Sequence, residues 1–263
     1  MLNTNTQRRP VKTVEKSFEI IEFLKENNGG TLNEIAEELG VAKSTAHRHL
    51  ETLQSLHLAI REGNVYHPSL RFLEIGEYTQ NRKKAFRMAE PKVQELAAET
   101  EERAQFIVEE HGIAVYVHRA IGEHAVQTDP GIGKRAPIHA TAAGKAILAY
   151  LPEEYATQIL EQYGQTKLTE YTITDRSDLF AELDRIREQQ YSHNNQEMIE
   201  GLRAVGVPVL KDGGSVMGAF SVSGPTHRMK GDWFEQDLPD LMLGVANELE
   251  LNLTHDRSPT HQY

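Results

Sequence analysis

The first apolar stripe of the chain predicts a helix near its start. Apolar side chains at Val14, Phe18, Ile21 and Leu24 recur at steps of three or four positions, which places them on one helical face. The run Asn-Asn-Gly-Gly at 27–30 follows and is typical of a helix end. The segment is therefore predicted to form one amphipathic helix.

Two shorter helices are predicted next, separated by a glycine. Thr31 with Glu34 three residues later matches a capping box, and the helix that it begins ends after about two turns at Gly40. A third helical pattern starts near Ala42. Its buried side is predicted to consist of Ala46, Leu50 and Leu53. Two short helices joined by a glycine turn indicate a helix-turn-helix.

The period changes between Leu58 and Pro68, where short apolar stretches flank Glu-Gly-Asn at 62–64. This is the pattern of two strands joined by a tight turn, and a hairpin after a helix-turn-helix is interpreted as a wing. On the outward face of the third helix, Lys43 suits phosphate and Arg48 suits guanine acceptors in the major groove. The candidate DNA-binding residues are Thr31, Lys43, Ser44, Thr45, His47, Arg48 and Arg61. The alternatives are a three-helix bundle with a solvated polar face and, for His47, a packing role.

Beyond the wing, residues 70–90 are predicted to form a linker helix, and Pro91 can open the next helix in its first turn. Strands and helices then alternate. Strands are predicted at 106–108, 114–117, 125–126 and 216–222, and helices at 91–102, 141–150, 153–163, 176–190 and 232–253. The predicted organisation is a disordered tail at 1–10, a winged helix-turn-helix domain at 11–69, the linker helix, a second domain at 91–254 and a disordered tail at 255–263. The expected fold class is therefore two-domain α+β.

Composition narrows the function. The net charge of -11 argues against nucleic acid as a partner, but residues 1–80 carry only -2 of it (9 Lys+Arg, 11 Asp+Glu). The acidic excess fits a salty cytoplasm, as in a halophilic archaeon, or merely an acidic solvated face. Without cysteine, the chain has no disulfide, thiolate zinc site or cysteine nucleophile. The chain is expected to be cytoplasmic because no apolar run approaches the ~20 residues of a membrane helix.

Four separated motifs resemble the IclR family of transcription regulators. They are TLNEIAEELGVAKSTAHRHL at 31–50, PIHATAAGKA at 137–146, EGLRA at 200–204 and AFSVSGP at 219–225. The resemblance extends from about residue 11 to 250. It implies an N-terminal winged helix-turn-helix, a linker helix and a C-terminal GAF-like α/β effector-binding domain. The implied function is sequence-specific regulation of catabolic genes, controlled by a small organic-acid effector.

The residues themselves also suggest an anion site. A helix opening at Thr141 presents free N–H groups and a positive dipole end, and two serines at alternate positions of a strand share one face. The resemblance implies effector contacts at Ala142, Ala143, Asn194, Ala204, Ser221 and Ser223. Family members commonly carry an acidic residue at the place of Asn194 and can carry a cysteine at that of Ala204. The ligand's identity therefore does not transfer, although an Asn suits a hydroxylated acid or sugar acid.

The expected partners are an operator DNA and further copies of the chain. A palindromic double-stranded DNA operator is expected to be bound by a homodimer or a dimer of dimers, because one winged helix contacts few phosphates. Arg203 can bond a carboxylate bidentately or form a surface ion pair.

Enzyme motifs fail on spacing. No phosphate loop, nucleophile elbow or His-Glu-x-x-His occurs, and four histidines at 111, 118, 124 and 139 fit no standard ligand pattern. The chain is therefore predicted to be no enzyme and to need no metal or cofactor. The alternative hypothesis is a hydrolase that acts on small acids and has an appended DNA- or partner-binding domain.

Overall fold

A computed structural model describes residues 10–126 and 131–255. These residues divide into two compact units, one ending at Asn81 and one beginning at Arg82. The tails predicted at 1–10 and 255–263 lie outside the described residues except at their inner ends, Pro10 and His255.

The first unit is a helix-turn-helix with a wing. It contains α1 (Lys12–Glu26), β1 (Gly30–Thr31), α2 (Leu32–Glu38), α3 (Lys43–Ser55), β2 (Ala59–Glu62), β3 (Val65–Pro68) and α4 (Arg71–Asn81). The strands form an antiparallel sheet in the order β1-β3-β2. The three predicted helices and the hairpin are therefore confirmed. The two-residue strand β1 was not predicted, because Gly30 was assigned to a helix end.

Only part of the α1 stripe enters the core of the first unit. Ile20 and Leu24 are buried with Ile35 and Leu50, whereas Phe18 is 59% exposed and Val14 is 65% exposed. Helical periodicity identifies residues that share a face, but the neighbouring elements decide which of them are covered.

The helix predicted across residues 70–90 is two helices. The first, α4, ends at Asn81, and α5 (Lys84–Thr100) begins after Arg82 and Lys83, which lie outside both. Pro91 lies inside α5 and not in its first turn, which corrects the prediction. The turn before Pro91 is held by packing, because Phe86 and Ala89 are buried in the core of the second unit.

The second unit is built on one antiparallel sheet. Its elements after α5 are β4 (Arg103–Glu110), β5 (Ile113–Ile121), β6 (Arg135–Ala136), a 3₁₀ turn (Ile138–Ala140), α6 (Ala142–Tyr150), α7 (Glu153–Tyr163), α8 (Arg176–Gln189), β7 (Ser192–Asn195), β8 (Leu202–Leu210), β9 (Val216–Pro225), a π turn (Trp233–Asp237) and α9 (Leu238–His255). The strand order is β6-β5-β4-β9-β8-β7. One core joins the sheet to α5 and α9, and a second joins it to α6, α7 and α8. The helices therefore cover the sheet on both faces.

Three of the four predicted strands are confirmed within β4, β5 and β9. The strand predicted at 125–126 is wrong, because both residues lie outside any strand. Strand β8 was missed because it contains Gly206 and Pro208, which are unusual inside strands. Its partner β7 pairs only with residues 203–206, so Pro208 lies where β8 has a neighbour on one side.

Candidate DNA-binding and effector sites

Helix α3 presents the polar face that the sequence predicts. Ala46, Leu50 and Leu53 are buried, and the five candidate residues on the opposite face are all exposed. Those five are Lys43, Ser44, Thr45, His47 and Arg48. Lys43 is the first residue of α3, where its charge adds to the positive end of the helix dipole. This end of α3 therefore suits a phosphate, and its contact with DNA stays a prediction.

One DNA-binding candidate on α3, His47, lies next to a carboxylate of the same helix. The His47 Nδ1 lies 3.4 Å from Glu51 Oε2, one helical turn on. A carboxylate at this position repels phosphate and lies within ion-pair distance of the imidazole. Of the α3 candidates, His47 is accordingly the one whose role in base recognition competes with an intramolecular contact.

The two candidates outside α3 support local structure. The Thr31 hydroxyl accepts from the Glu34 N–H at 3.4 Å, and Glu34 Oε2 accepts from the Thr31 N–H at 2.7 Å, which completes the predicted capping box; the Thr31 hydroxyl also donates to Glu34 Oε2 at 2.8 Å. The bond that the Thr31 N–H donates, followed by the one from its hydroxyl, lowers the pKa of the Glu34 carboxyl. On the wing, Arg61 Nε donates to the Gly63 carbonyl at 2.9 Å and its guanidinium lies 5.4 Å from the Tyr66 ring centroid. Both side chains shape the DNA-binding unit, and their direct contact with DNA stays a prediction.

The sheet register of the second unit brings distant residues into rows. Asn194 pairs with Ala204, Ala204 with Ser223, and Ser223 with Arg103, so that four adjacent strands contribute one row. In the next row toward the middle of the sheet, Gly206 pairs with Ser221 and Ser221 with Gln105. Residues that pair across strands point to the same face. The predicted effector residues on strands therefore share a face with two residues of β4, Arg103 and Gln105.

Helix α6 begins directly over this face. A Cβ on Gly206 would lie 2.4 Å from the Ala142 carbonyl carbon, so only a glycine lets the helix approach the sheet so closely. The Thr141 hydroxyl accepts from the Gly144 N–H at 3.0 Å, and the Ser192 hydroxyl donates to the Ala142 carbonyl. The N–H groups of Ala142 and Ala143 belong to the first turn, which has no intrahelical acceptor for them.

A cavity of about 190 Å³ lies between the α6 start and the sheet. Pockets for drug-sized ligands enclose roughly 300–1,000 Å³, so this cavity suits a small metabolite. Five of the six predicted effector residues line it, namely Ala142, Asn194, Ala204, Ser221 and Ser223. Ala143 differs, because its side chain is fully buried in the core against α8 and leaves only its backbone for a ligand.

The charge of the cavity wall is positive. Arg103, Lys134, Arg135 and Arg203 line it, and among the described residues no Asp or Glu does. Arg103 is 7% exposed, and its Nε and Nη2 donate to the Ser223 hydroxyl at 3.2 and 3.0 Å. Burial lowers the pKa of Arg103, but an arginine starts so high that it stays protonated. The wall therefore favours an anion.

Arg203 is held by neutral groups. Its Nε donates to Asn195 Oδ1 at 2.7 Å, its Nη1 donates to the Met229 carbonyl at 3.0 Å, and its guanidinium lies 5.3 Å from the Phe234 ring centroid. These contacts differ from the surface ion pair that was considered for it.

A buried ionic group holds the end of β7, where Asn194 lies. Lys145 Nζ lies 2.6 Å from Glu197 Oε1 and 3.3 Å from Glu182 Oε1, and Lys145 is 1% exposed. The Glu197 N–H donates to Asn194 Oδ1 at 3.0 Å, and Asn194 Nδ2 donates to the Ala140 carbonyl. Burial raises the pKa of Glu197, and the charge of Lys145 opposes that shift. The Asn194 amide is therefore fixed in orientation before any ligand binds.

Sequence reasoning missed Arg103 and Gln105. Their signal is alternation, because both are polar and are separated by the buried Ala104, and the buried Phe106 follows. Such alternation is typical of a strand with one apolar face. The prediction began the strand at Phe106, which left the two polar residues outside it.

Residues 10–126 and 131–255 contain neither a metal-binding cluster nor a membrane-spanning helix. No group of three or more His, Asp or Glu side chains there is arranged to hold a metal ion. No helix in the same ranges is long and apolar enough to cross a membrane.

Comparison with known proteins identifies the family. Residues 78–250 match the family described as bacterial transcriptional regulator IclR C-terminal, and residues 13–61 match the IclR helix-turn-helix domain. The probable HTH-type transcriptional regulator ArcR of Halobacterium salinarum is 29% identical over 253 residues, covering 95% of this chain and 96% of its own.

Solved structures agree. The Thermotoga maritima IclR crystal structure has a TM-score of 0.79 at 26% identity and covers 93% of this chain and 99% of its own. The inducer-binding domain of a PobR double mutant from Acinetobacter, in complex with 3-hydroxybenzoic acid, has a TM-score of 0.57 at 30% identity, covering 62% and 96%. Both are similar in fold to this chain over the regions that they cover.

The two family matches fall on the first and the second unit, and both are with domains of transcription regulators. They give no support to the alternative hypothesis of a hydrolase. IclR-type proteins bind DNA through the first unit and small effector molecules through the second. The chain belongs to the IclR family of transcription regulators, and it is a DNA-binding regulator and not an enzyme.

Proposed function

We propose that this protein regulates catabolic genes by binding a palindromic operator, and that a small organic acid in the cavity of the second unit controls this binding. The observation that carries the proposal is the cavity wall, where four cationic side chains and no described carboxylate surround a space of about 190 Å³. A carboxylate ligand supplies negative charge opposite these cationic side chains.

Three groups of donors converge on the proposed carboxylate position. The Ala142 and Ala143 N–H groups open α6, Ser221 and Ser223 lie on the sheet beneath, and Arg103 donates to Ser223 from the adjoining strand. Helix starts attract anions, and an arginine strengthens hydrogen bonds to a carboxylate. Asn194 uses one N–H on the Ala140 carbonyl and keeps a second for a ligand.

A relative supports an acid as the effector class. The PobR inducer-binding domain, 30% identical over the region that it covers, is complexed with 3-hydroxybenzoic acid. That ligand is small, anionic and hydroxylated. The same class fits the size and charge of the present cavity.

A homodimer, or a dimer of dimers, is proposed as the DNA-binding form. The first unit exposes apolar side chains on α1 and near α4 that a monomer would leave in water, among them Phe18 at 59% and Leu70 at 79% exposure. The other members of this exposed set are Val11, Val14, Leu73, Ile75 and Tyr78. Two copies also read a palindrome, since one winged helix makes too few contacts for useful affinity. We place this activity in the cytoplasm, where a prokaryotic operator lies.

Operator binding is the test of the DNA-binding proposal. Fluorescence anisotropy would compare duplexes from the region upstream of the protein's own gene with scrambled duplexes at fixed salt, because salt alone shifts such affinities strongly. A specific operator should bind about 10³-fold or more tightly than scrambled DNA. Equal affinity for both duplexes contradicts the proposal.

Effector control is tested in the same assay. Benzoate, 3-hydroxybenzoate, hexanoate and 6-hydroxyhexanoate would be added at millimolar concentration, with the corresponding neutral amides as controls. At least one acid should change operator affinity about tenfold, which needs about 1.4 kcal/mol of coupling, while its amide should not. If all the acids are inert, the proposed effector class is wrong.

A further inference from the structure

The amide of Gln105 is a buried polar group at the cavity. Gln105 is 3% exposed, lines the cavity and lies on β4 between Arg103 and Ile107, which line it as well. Its Nε2 has no hydrogen-bond partner among the described residues. Most buried polar side-chain atoms in proteins have one, because an unmade hydrogen bond is costly.

Arg103, the neighbouring polar residue on β4, has a hydrogen-bond partner at the cavity. Arg103, two positions earlier, donates to the Ser223 hydroxyl through both Nε and Nη2. The pairing partner of Gln105 on β9 is Ser221, one of the proposed carboxylate contacts. A glutamine amide can turn its N–H groups or its carbonyl toward a ligand by rotation about its last side-chain torsion. Gln105 therefore offers a ligand a second polar contact point, one strand away from Ser221.

The position of Gln105 across the sheet sets what it can reach. The α6 start lies over Gly206 on β8, and β9 separates β8 from β4. Two strand spacings of about 4.8 Å put β4 about 10 Å from β8. A ligand whose carboxylate is held at the α6 start and Ser221 thus extends toward Gln105 with its other end.

We propose that Gln105 determines effector specificity by donating a hydrogen bond to a hydroxyl or carbonyl oxygen remote from the effector's carboxylate. This inference rests on the proposed function and narrows it: the effector is an oxygenated acid and not a plain aliphatic or aromatic acid. The wall beside Gln105 also includes Ile107 and the ring of Tyr116, which suit the carbon skeleton of such an acid.

Matched acid pairs test the proposal. Isothermal titration of the full-length protein would measure the Kd of benzoate against 3-hydroxybenzoate, and of hexanoate against 6-hydroxyhexanoate. In each pair the members differ by one hydroxyl. For at least one pair, the hydroxylated member should bind about tenfold more tightly to the unmodified protein, the effect of one good hydrogen bond.

The variant Gln105→Met keeps the length of the side chain and removes the amide. It should reduce the tenfold preference to about one by weakening the hydroxylated acid while leaving the plain acid unchanged. Gln158→Met on α7, outside the cavity lining, is the matched control and should retain the preference. Gln105→Leu, which also lacks a hydrogen-bonding group, is the second variant if Gln105→Met fails to fold, and it should likewise reduce the preference to about one.

The outcomes separate this inference from the proposed function. If plain and hydroxylated acids bind equally to the unmodified protein and still change operator affinity, the role of Gln105 is wrong and effector control stands. An equal loss for both members in Gln105→Met assigns Gln105 to packing and also overturns the inference. A hydroxyl preference that persists in Gln105→Met, or in Gln105→Leu where that variant is used, also overturns the inference. If none of the four acids binds, the inference and the effector class fail together.

Discussion

The close approach of α6 to the sheet at Gly206 offers a sharp test of the effector site. In Gly206→Ala, the added Cβ would meet three backbone atoms of the α6 start: the Ala142 carbonyl carbon at 2.4 Å, and the Ala142 oxygen and the Ala143 nitrogen at 2.6 Å. Backbone atoms cannot rotate away as a side chain can. The variant therefore has to displace the first turn of α6 from the sheet.

The required displacement follows from the contact distances. Ordinary van der Waals contact begins at 3.4 Å, so the Ala142 carbonyl carbon must retreat by about 1 Å from its present 2.4 Å. Overpacking of this kind costs about 1–3 kcal/mol. For a unit of this size, each kcal/mol lowers the Tm by about 2–4 °C, so we expect a loss of roughly 2–12 °C. The N–H groups of the first turn move with it, and the affinity for an effective acid should fall tenfold or more.

Differential scanning fluorimetry would measure the Tm, and isothermal titration with the best-binding acid of the panel would measure its Kd. The control is Gly244→Ala in α9, where nothing lies within 4 Å of the added Cβ and a helical alanine is preferred to glycine. Its Tm should equal or exceed that of the unmodified protein, and its affinity for the acid should be at least as high. If Gly206→Ala behaves like Gly244→Ala, the close approach of α6 to the sheet is not as described.

Three further predictions concern separate parts of the protein. Arg48→Ala should reduce the preference for operator over scrambled DNA. Lys43→Ala should weaken binding to both duplexes and reduce the slope of log affinity against log salt concentration by about one in anisotropy titrations. Identical behaviour of the two variants would contradict the assigned roles. Replacing Ser221 and Ser223 together with alanine should abolish the effect of an active acid on operator affinity and leave ligand-free binding nearly intact; a normal response would place the carboxylate elsewhere. Lys145→Met leaves two glutamates near one another without their buried cation, so urea unfolding should show a loss of about 3–5 kcal/mol at pH 8. Burial raises the pKa of the Glu197 carboxyl in the folded state, so that loss should shrink toward pH 5 as Glu197 becomes protonated. A loss of stability that does not depend on pH would argue against an ionic origin.

Local chemistry made the first unit predictable. The capping box of Thr31 with Glu34 and the apolar spacing of Ala46 and Leu50 depend on residues within one or two helical turns, and both occur in the structure as predicted. The exposed face of α3 follows from the same spacing. Periodicity did not reveal that Phe18 stays outside the core, since that depends on which elements lie beside α1.

The second unit was predictable only where strands and helices had local signals. The break between α4 and α5 went unpredicted because residues 70–90 are compatible with one continuous helix, and the separation of two compact units decides otherwise. Strand β8 went unpredicted because Pro208 is tolerated only through the short reach of its neighbour β7.

The sequence by itself determined the helix-turn-helix, the wing, the α6 start and the family, because each depends on residues that are neighbours along the chain. The tertiary structure alone decided the composition of the cavity wall. Arg103 and Ser223 are 120 residues apart and meet because β4 pairs with β9 in one register. A shift of one residue would turn Arg103 and Gln105 toward the apolar core, so strand pairing, which no local pattern encodes, places both side chains at the cavity.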